Sequence, residues 1–180
     1  MSLIILDRDG VINRDSDDFI KSPAEWEPID GSLEAIAKLN HAGYRVVVIT
    51  NQSGVARGLF DVNTLAKIHS KMRRMLAQVG GKFEAIIFCP HGPDDDCDCR
   101  KPKSGAFEEL AHRLRIDLKG IPAVGDSLRD ISAALAVGAK PILVRTGKGI
   151  KTEQDPQLPV ETVIYDDLDA VVTALLEHNH

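Results

Sequence analysis

LIILDRDG, residues 3–10, is a short apolar run that stops abruptly at acids. Branched apolar side chains in succession, without polar alternation, suit a strand covered on both faces, the kind that parallel sheets contain. Working outward, GSLEAIAKLNHAG (31–43) places Leu33, Ile36 and Ala37 at helical spacing and ends at Gly43, a natural stop. RVVVIT (45–50) is a second strand, and residues 61–81 a second helix with Asp61 as N-cap and Gly80 at its end. The alternation continues with EAIIFC (84–89), a helix over 104–116, IPAVGD (121–126), a helix over 127–139 and PILVRT (141–146). GKGIKTEQDPQLP (147–159) reads as a loop, and TVIYD (162–166) and DLDAVVTALLEH (167–178) as a last strand and helix. Strands alternating with helices predict an α/β fold: a doubly wound, Rossmann-like parallel sheet with helices on both faces, in one domain over residues 1–180.

The composition fits a globular protein, with 43% hydrophobic and 27% charged residues. A net charge of −5 speaks against a nucleic-acid or anionic-membrane partner, whereas a few local cations would suffice for a small anion. No apolar stretch is long enough to span a bilayer, and LIIL is too short for a signal peptide. A cytoplasmic protein acting as a monomer is expected.

In such sheets ligands gather beyond the carboxyl ends of the strands. The first strand leads to Asp7-Arg8-Asp9-Gly10, the second to Thr50-Asn51-Gln52-Ser53-Gly54, the third to Arg100 and Lys101, and the fourth to Gly125-Asp126-Ser127. Any one of these has an ordinary reading as a cap or turn. Their joint placement at four strand ends points to phosphoryl transfer through an aspartate. A carboxylate can attack phosphorus, and a second acid can protonate the leaving alkoxide and then activate water. Cations must offset the repulsion between carboxylates and a phosphate. Asp7 and Asp126 can hold Mg²⁺, Lys101 adds positive charge, and Thr50 with nearby N–H groups can cradle the transferring oxygens.

DRDGVIN, the Thr50 strand end, Lys101 and GDSLRD resemble, in order, the four motifs of the haloacid dehalogenase superfamily. TNQSGVARG, CPHGP, CDCRKP and VGDSLRD are similar to the motifs of its heptose-bisphosphate phosphatases over nearly the whole chain. Histidinol-phosphate phosphatases share much of this pattern, and the short segment between His91 and Cys97 suits them too, so both substrates stay open. The resemblance implies Asp7 as nucleophile, Asp9 as acid and base, and Thr50 and Lys101 steadying the phosphoryl group. It implies Mg²⁺ on Asp7, the Asp9 carbonyl and Asp126, and Arg100 recognising a phosphorylated sugar, a precursor for lipopolysaccharide cores. Asp15, Ser16, Asp17, Asp18, Asn51, Gln52 and Ser53 would lie near that sugar. Asp130 is expected to orient Lys101 or the Asp126 loop rather than bind metal.

All three cysteines fall within one loop. Cys89, His91, Cys97 and Cys99 make the Cys₃His set of a structural Zn²⁺ site, and a loop this polar offers no apolar burial for free thiols. Asp94, Asp95 and Asp96 read as a solvated turn, and His69 and His112 as surface or helix-packing residues. Only about twenty residues separate DRDGVIN from the next helix, too few for an inserted cap domain. An open site is expected, with loops 13–28 and 89–103 supplying selectivity.

Overall fold

The computed structural model describes residues 2–179. Six parallel strands stand in the order β3-β2-β1-β4-β5-β6: β1 (Ser2–Leu6), β2 (Tyr44–Asn51), β3 (Ala85–Cys89), β4 (Pro122–Gly125), β5 (Lys140–Val144) and β6 (Val163–Tyr165). The helices are α1 (Ser32–His41), α2 (Val62–Gln78), α3 (Gly105–Leu114), α4 (Leu128–Ala136), α5 (Gly149–Glu153) and α6 (Leu168–His178).

Side chains alternate across the strands into two separate cores. Ile4, Leu6, Val46 and Val48 pack on one face with Ile36 of α1, Ile68 and Met72 of α2 and Val171 of α6. Leu3, Ile5, Val47 and Ile49 pack on the other with Phe107 and Leu110 of α3 and Ala133 and Ala134 of α4. Burial on both faces is why these strands read as continuous apolar runs.

Caps close the helices where the sequence suggests. Asp61 accepts from the Thr64 amide at 2.7 Å, and Gly80 turns out of α2 at φ +84°. One expectation fails: residues 149–153, read as loop, form α5. That short helix has no apolar periodicity to announce it. It is held by tertiary bonds: Thr152 Oγ1 donates to the Asp126 carbonyl at 2.8 Å, and Arg145 grips both Glu153 oxygens at 2.9 and 3.0 Å.

Between β1 and α1 the chain forms loops and one 3-10 turn, Pro23–Glu25. Trp26 behind that turn is fully buried, and Lys71 of α2 ties it down through the Pro23 and Trp26 carbonyls at 2.7 and 2.8 Å. Among the described residues, no helix is long and apolar enough to cross a membrane.

Candidate active site

The strand order reverses at β1, so the crevice between the ends of β1 and β4 is where a ligand should lie. A cavity of about 240 Å³ opens there, lined by Asp7 and Asp9 after β1, Asn51, Gln52 and Ser53 after β2, and Asp126 after β4. Asp15, Ser16, Asp17, Arg100 and Lys101 line it as well. Two assigned residues do not: Asp18 is exposed, and Thr50 is buried beneath the floor. Asp18 sits in an exposed turn, where its amide donates to Ser16 Oγ at 3.1 Å. Thr50 Oγ1 accepts from Gln52 Nε2 at 2.9 Å, so its hydroxyl supports the floor's polar network.

Lys101 sits at the centre. Its ammonium, buried, lies 2.6 Å from Asp130 Oδ1 and donates to Asp7 Oδ1 at 3.1 Å and the Ile49 carbonyl at 2.8 Å. Burial alone would lower its pKa, but Asp130 and Asp7 outweigh that and raise it, so Lys101 stays charged. Asp130 Oδ2 meanwhile accepts from the amides of Asp126 and Ser127 and from Ser127 Oγ, at 3.1, 3.2 and 2.9 Å. Asp130 thus joins Lys101 through one oxygen to the backbone of Asp126 and Ser127 through the other.

Carboxyl oxygens of Asp7, Asp126 and Asp130 lie within 4.8 Å of one another. Burial first, then Asp130, pushes Asp7 up to about 7 against the pull of Lys101. Burial first, then repulsion from Asp7 and Asp130, pushes Asp126 to about 9. Such crowding marks a place for a cation, and Asp7 with Asp126 supplies hard oxygen ligands that suit Mg²⁺. The approach depends on Gly10, at φ +85°, where a Cβ would fall 2.0 Å from Asp126 Oδ2.

Asp9 differs. Burial would raise its pKa, but the Arg8 charge and hydrogen bonds from Asn13, Arg8 and Gln52 bring it below the usual carboxylate range. Its Oδ1 takes Arg8 Nε, Arg8 Nη2 and Asn13 Nδ2 at 2.9, 2.7 and 2.9 Å, while Oδ2 takes only Gln52 Nε2 at 3.1 Å. Gln52 therefore braces the acid and Thr50. Asn51 likewise has a structural task, exchanging two 3.0 Å hydrogen bonds with the Lys101 backbone.

The sequence reading passed over several residues. Arg57 and Arg129 line the cavity beside Arg100. Burial, followed by the charges of Arg129 and then Arg57, holds Arg100 below the ordinary arginine value. Lys148 lies just past β5 and pairs with Asp15 at 3.4 Å; its signal in the sequence is its place after the fifth strand. His69, read as a surface or helix-packing residue, is buried, with Nε2 3.2 Å from Arg8 Nη1.

The cysteine loop closes on itself as expected, with Cys89, His91, Cys97 and Cys99 offering clustered ligand atoms. Ligands at roughly 2.0–2.3 Å from a tetrahedral zinc stand about 3.5–3.8 Å apart. Cys89 Sγ lies 3.8 Å from Cys97 Sγ and 3.5 Å from His91 Nδ1, and His91 Nδ1 lies 3.4 Å from Cys99 Sγ. Cys89 and Cys99 approach more closely, at 2.7 Å, and all three thiols are free. The donor set fits Zn²⁺. One premise needs correction: Cys89 ends β3 fully buried and Cys99 packs against the second core, so the thiols do have apolar neighbours.

Two family models match: one described as polynucleotide kinase 3 phosphatase over residues 2–133, the other as HAD-hydrolase-like over residues 98–171. The chain is 58% identical to a D-glycero-beta-D-manno-heptose-1,7-bisphosphate 7-phosphatase of Bordetella bronchiseptica, covering 98% of this chain and 99% of the relative. It is 54% identical to the Pseudomonas aeruginosa enzyme of that name, with 98% of each covered. A crystal structure of the D,D-heptose 1,7-bisphosphate phosphatase from B. bronchiseptica, complexed with magnesium and phosphate, superposes with a TM-score of 0.97 at 57% identity, covering 99% of both chains. Site and relatives agree: the chain belongs to the haloacid dehalogenase superfamily and, within it, to the family of D-glycero-D-manno-heptose-1,7-bisphosphate 7-phosphatases.

Proposed function

We propose that this chain hydrolyses the 7-phosphate of D-glycero-β-D-manno-heptose 1,7-bisphosphate through an aspartyl-phosphate on Asp7. The observation that carries this is the meeting of Asp7, Lys101, Asp126 and Asp130 in one crevice, in a chain similar end to end to enzymes named for that reaction. Asp7 Oδ1 is held by the Arg8 amide at 2.9 Å and by Lys101, which leaves Oδ2 to attack phosphorus. As that bond forms, the bond to the sugar oxygen breaks and Asp9 gives the oxygen a proton. Asp9 then takes a proton from the water that attacks the phosphoryl-aspartate, and phosphate leaves.

Asp9 is ionised in the free protein, ready to act as base. Its acid role needs a proton, which an incoming phosphate favours because nearby negative charge raises a carboxyl pKa. Asp7 and Asp126 would hold Mg²⁺, whose charge offsets that of the substrate. Cys89, His91, Cys97 and Cys99 would hold a structural Zn²⁺.

Arg57, Arg100 and Arg129 give the mouth of the cavity charge suited to a second phosphate, which favours a bisphosphate over histidinol phosphate. A polynucleotide end fits less well, since the net charge of −5 and 4% aromatic residues lack the basic groove and stacking platforms it needs. The test is phosphate release with Mg²⁺ from the heptose bisphosphate, both monophosphates and histidinol phosphate. Faster turnover of histidinol phosphate than of the bisphosphate would overturn the assignment.

A further inference from the structure

Arg8 lies between two residues assigned to chemistry, yet its side chain is sealed from solvent and cannot reach the substrate. The guanidinium turns away from the cavity and spends all three nitrogens on two partners. Nε and Nη2 donate to one oxygen of Asp9, at 2.9 and 2.7 Å, and Nη1 lies 3.2 Å from Nε2 of His69, sixty-one positions along the chain. A guanidinium has donors only, so His69 must accept through Nε2 and carry its proton on Nδ1. His69 is itself steadied on α2, its ring tilted against Phe88 of β3 at a centroid distance of 6.2 Å.

Together with Asn13, this chain of contacts loads Asp9 Oδ1 with three donors and leaves Oδ2 with one. The two oxygens are thereby made unequal, and the carboxylate cannot rotate without breaking charge-assisted bonds to a buried cation. We infer that Arg8 and His69 are positioning residues that select Oδ2 of Asp9 as the proton-handling oxygen, with the neutral imidazole fixing the guanidinium from behind. Neither touches substrate. The inference rests on the proposed acid and base role of Asp9.

The test is a double-mutant cycle on the metal-loaded enzyme. His69→Leu removes the acceptor, His69→Gln keeps one on a side chain of similar reach, and each is also made with Asp9→Asn. Displacing a reacting group by about 1 Å can cost on the order of 100-fold. His69→Leu should therefore lower kcat roughly 10- to 100-fold with KM little changed, and His69→Gln should recover most of the loss. In the Asp9→Asn background His69→Leu should cost nothing more, because the group it positions is gone. A purely structural histidine would lower both backgrounds by the same factor, and that result overturns the inference, as would normal kcat in His69→Leu or equal losses in Leu and Gln variants. Should thermal melting show His69→Leu unfolded, Arg8→Lys, which keeps the charge but loses the fork, is carried through the same cycle with the same criteria. Wild-type turnover in Asp9→Asn alone would instead sink the role of Asp9, a failure distinct from that of its positioning.

Discussion

Lys101 Nζ and Asp130 Oδ1 lie 2.6 Å apart in the floor of the cavity, both side chains nearly sealed from water. The second oxygen of Asp130 holds the backbone that presents Asp126, so one carboxylate sets both the cation and a carboxylate proposed to hold Mg²⁺. Removing one partner of a buried, hydrogen-bonded pair leaves an uncompensated group behind. Asp130→Asn should destabilise the protein by about 3 kcal/mol, measured by denaturant unfolding, and reduce turnover as well. Unchanged stability would show that Asp7 alone compensates Lys101.

Asp7→Asn should abolish turnover while preserving the fold, because an amide cannot form the aspartyl-phosphate. Phosphate release at the wild-type rate from the pure variant, with an unchanged circular dichroism spectrum, would remove Asp7 from its role.

Metal removal carries a pH signature. Asp7 near 7 and Asp126 near 9 lie above their unfolded value of 3.8, so between about pH 4 and 9 the unfolded chain ionises them more readily. Their contribution to folding is thus full below about pH 4 and lost as pH rises through the folded values. Mg²⁺ held by Asp7 and Asp126 would bind the ionised pair and reverse that loss. Adding Mg²⁺ to metal-free protein should raise the melting temperature more at pH 8.5 than at pH 5.5. Equal shifts at both pH values would count against Asp7 and Asp126 as the ligands.

Three arginines at one mouth predict selectivity. Arg100→Ala should narrow the preference for bisphosphate over monophosphate, because on the proposed reading the lost charge would face the phosphate that is not cleaved. Steady-state kinetics on both substrates decide the matter. Equal losses on the two would place Arg100 elsewhere in the mechanism.

A zinc ion held by the cysteine loop would enter catalysis only through geometry. Cys99 precedes Arg100 and Lys101, but Asn51 also clamps the Lys101 backbone, so losing the metal should weaken that placement without erasing it. Cys99→Ser should lower both zinc content and kcat and leave most of the fold in place. Metal analysis finding no zinc in chelator-free protein would defeat this, as would normal turnover in a zinc-free variant.

From the sequence alone came the strands, the helices around them, and the residues Asp7, Asp9, Lys101 and Asp126 at the strand ends. Those signals are local. An apolar run and the acid that ends it are neighbours in the chain, and parallel connections bring such ends to one rim whatever the packing detail. The cysteines were legible for the same reason, because their spacing is short. Tertiary structure decided the direction and partner of each side chain. Asn51 and Gln52 stood at the expected strand end, yet they brace Lys101 and Asp9, which no spacing could show. Arg8 meets His69, α5 forms where no apolar period marks it, and Lys148 reaches Asp15, because segments far apart in sequence are pressed together in a close-packed molecule. Residue type and local pattern set what each group can do, but which oxygen faces the cavity depends on every donor packed behind it.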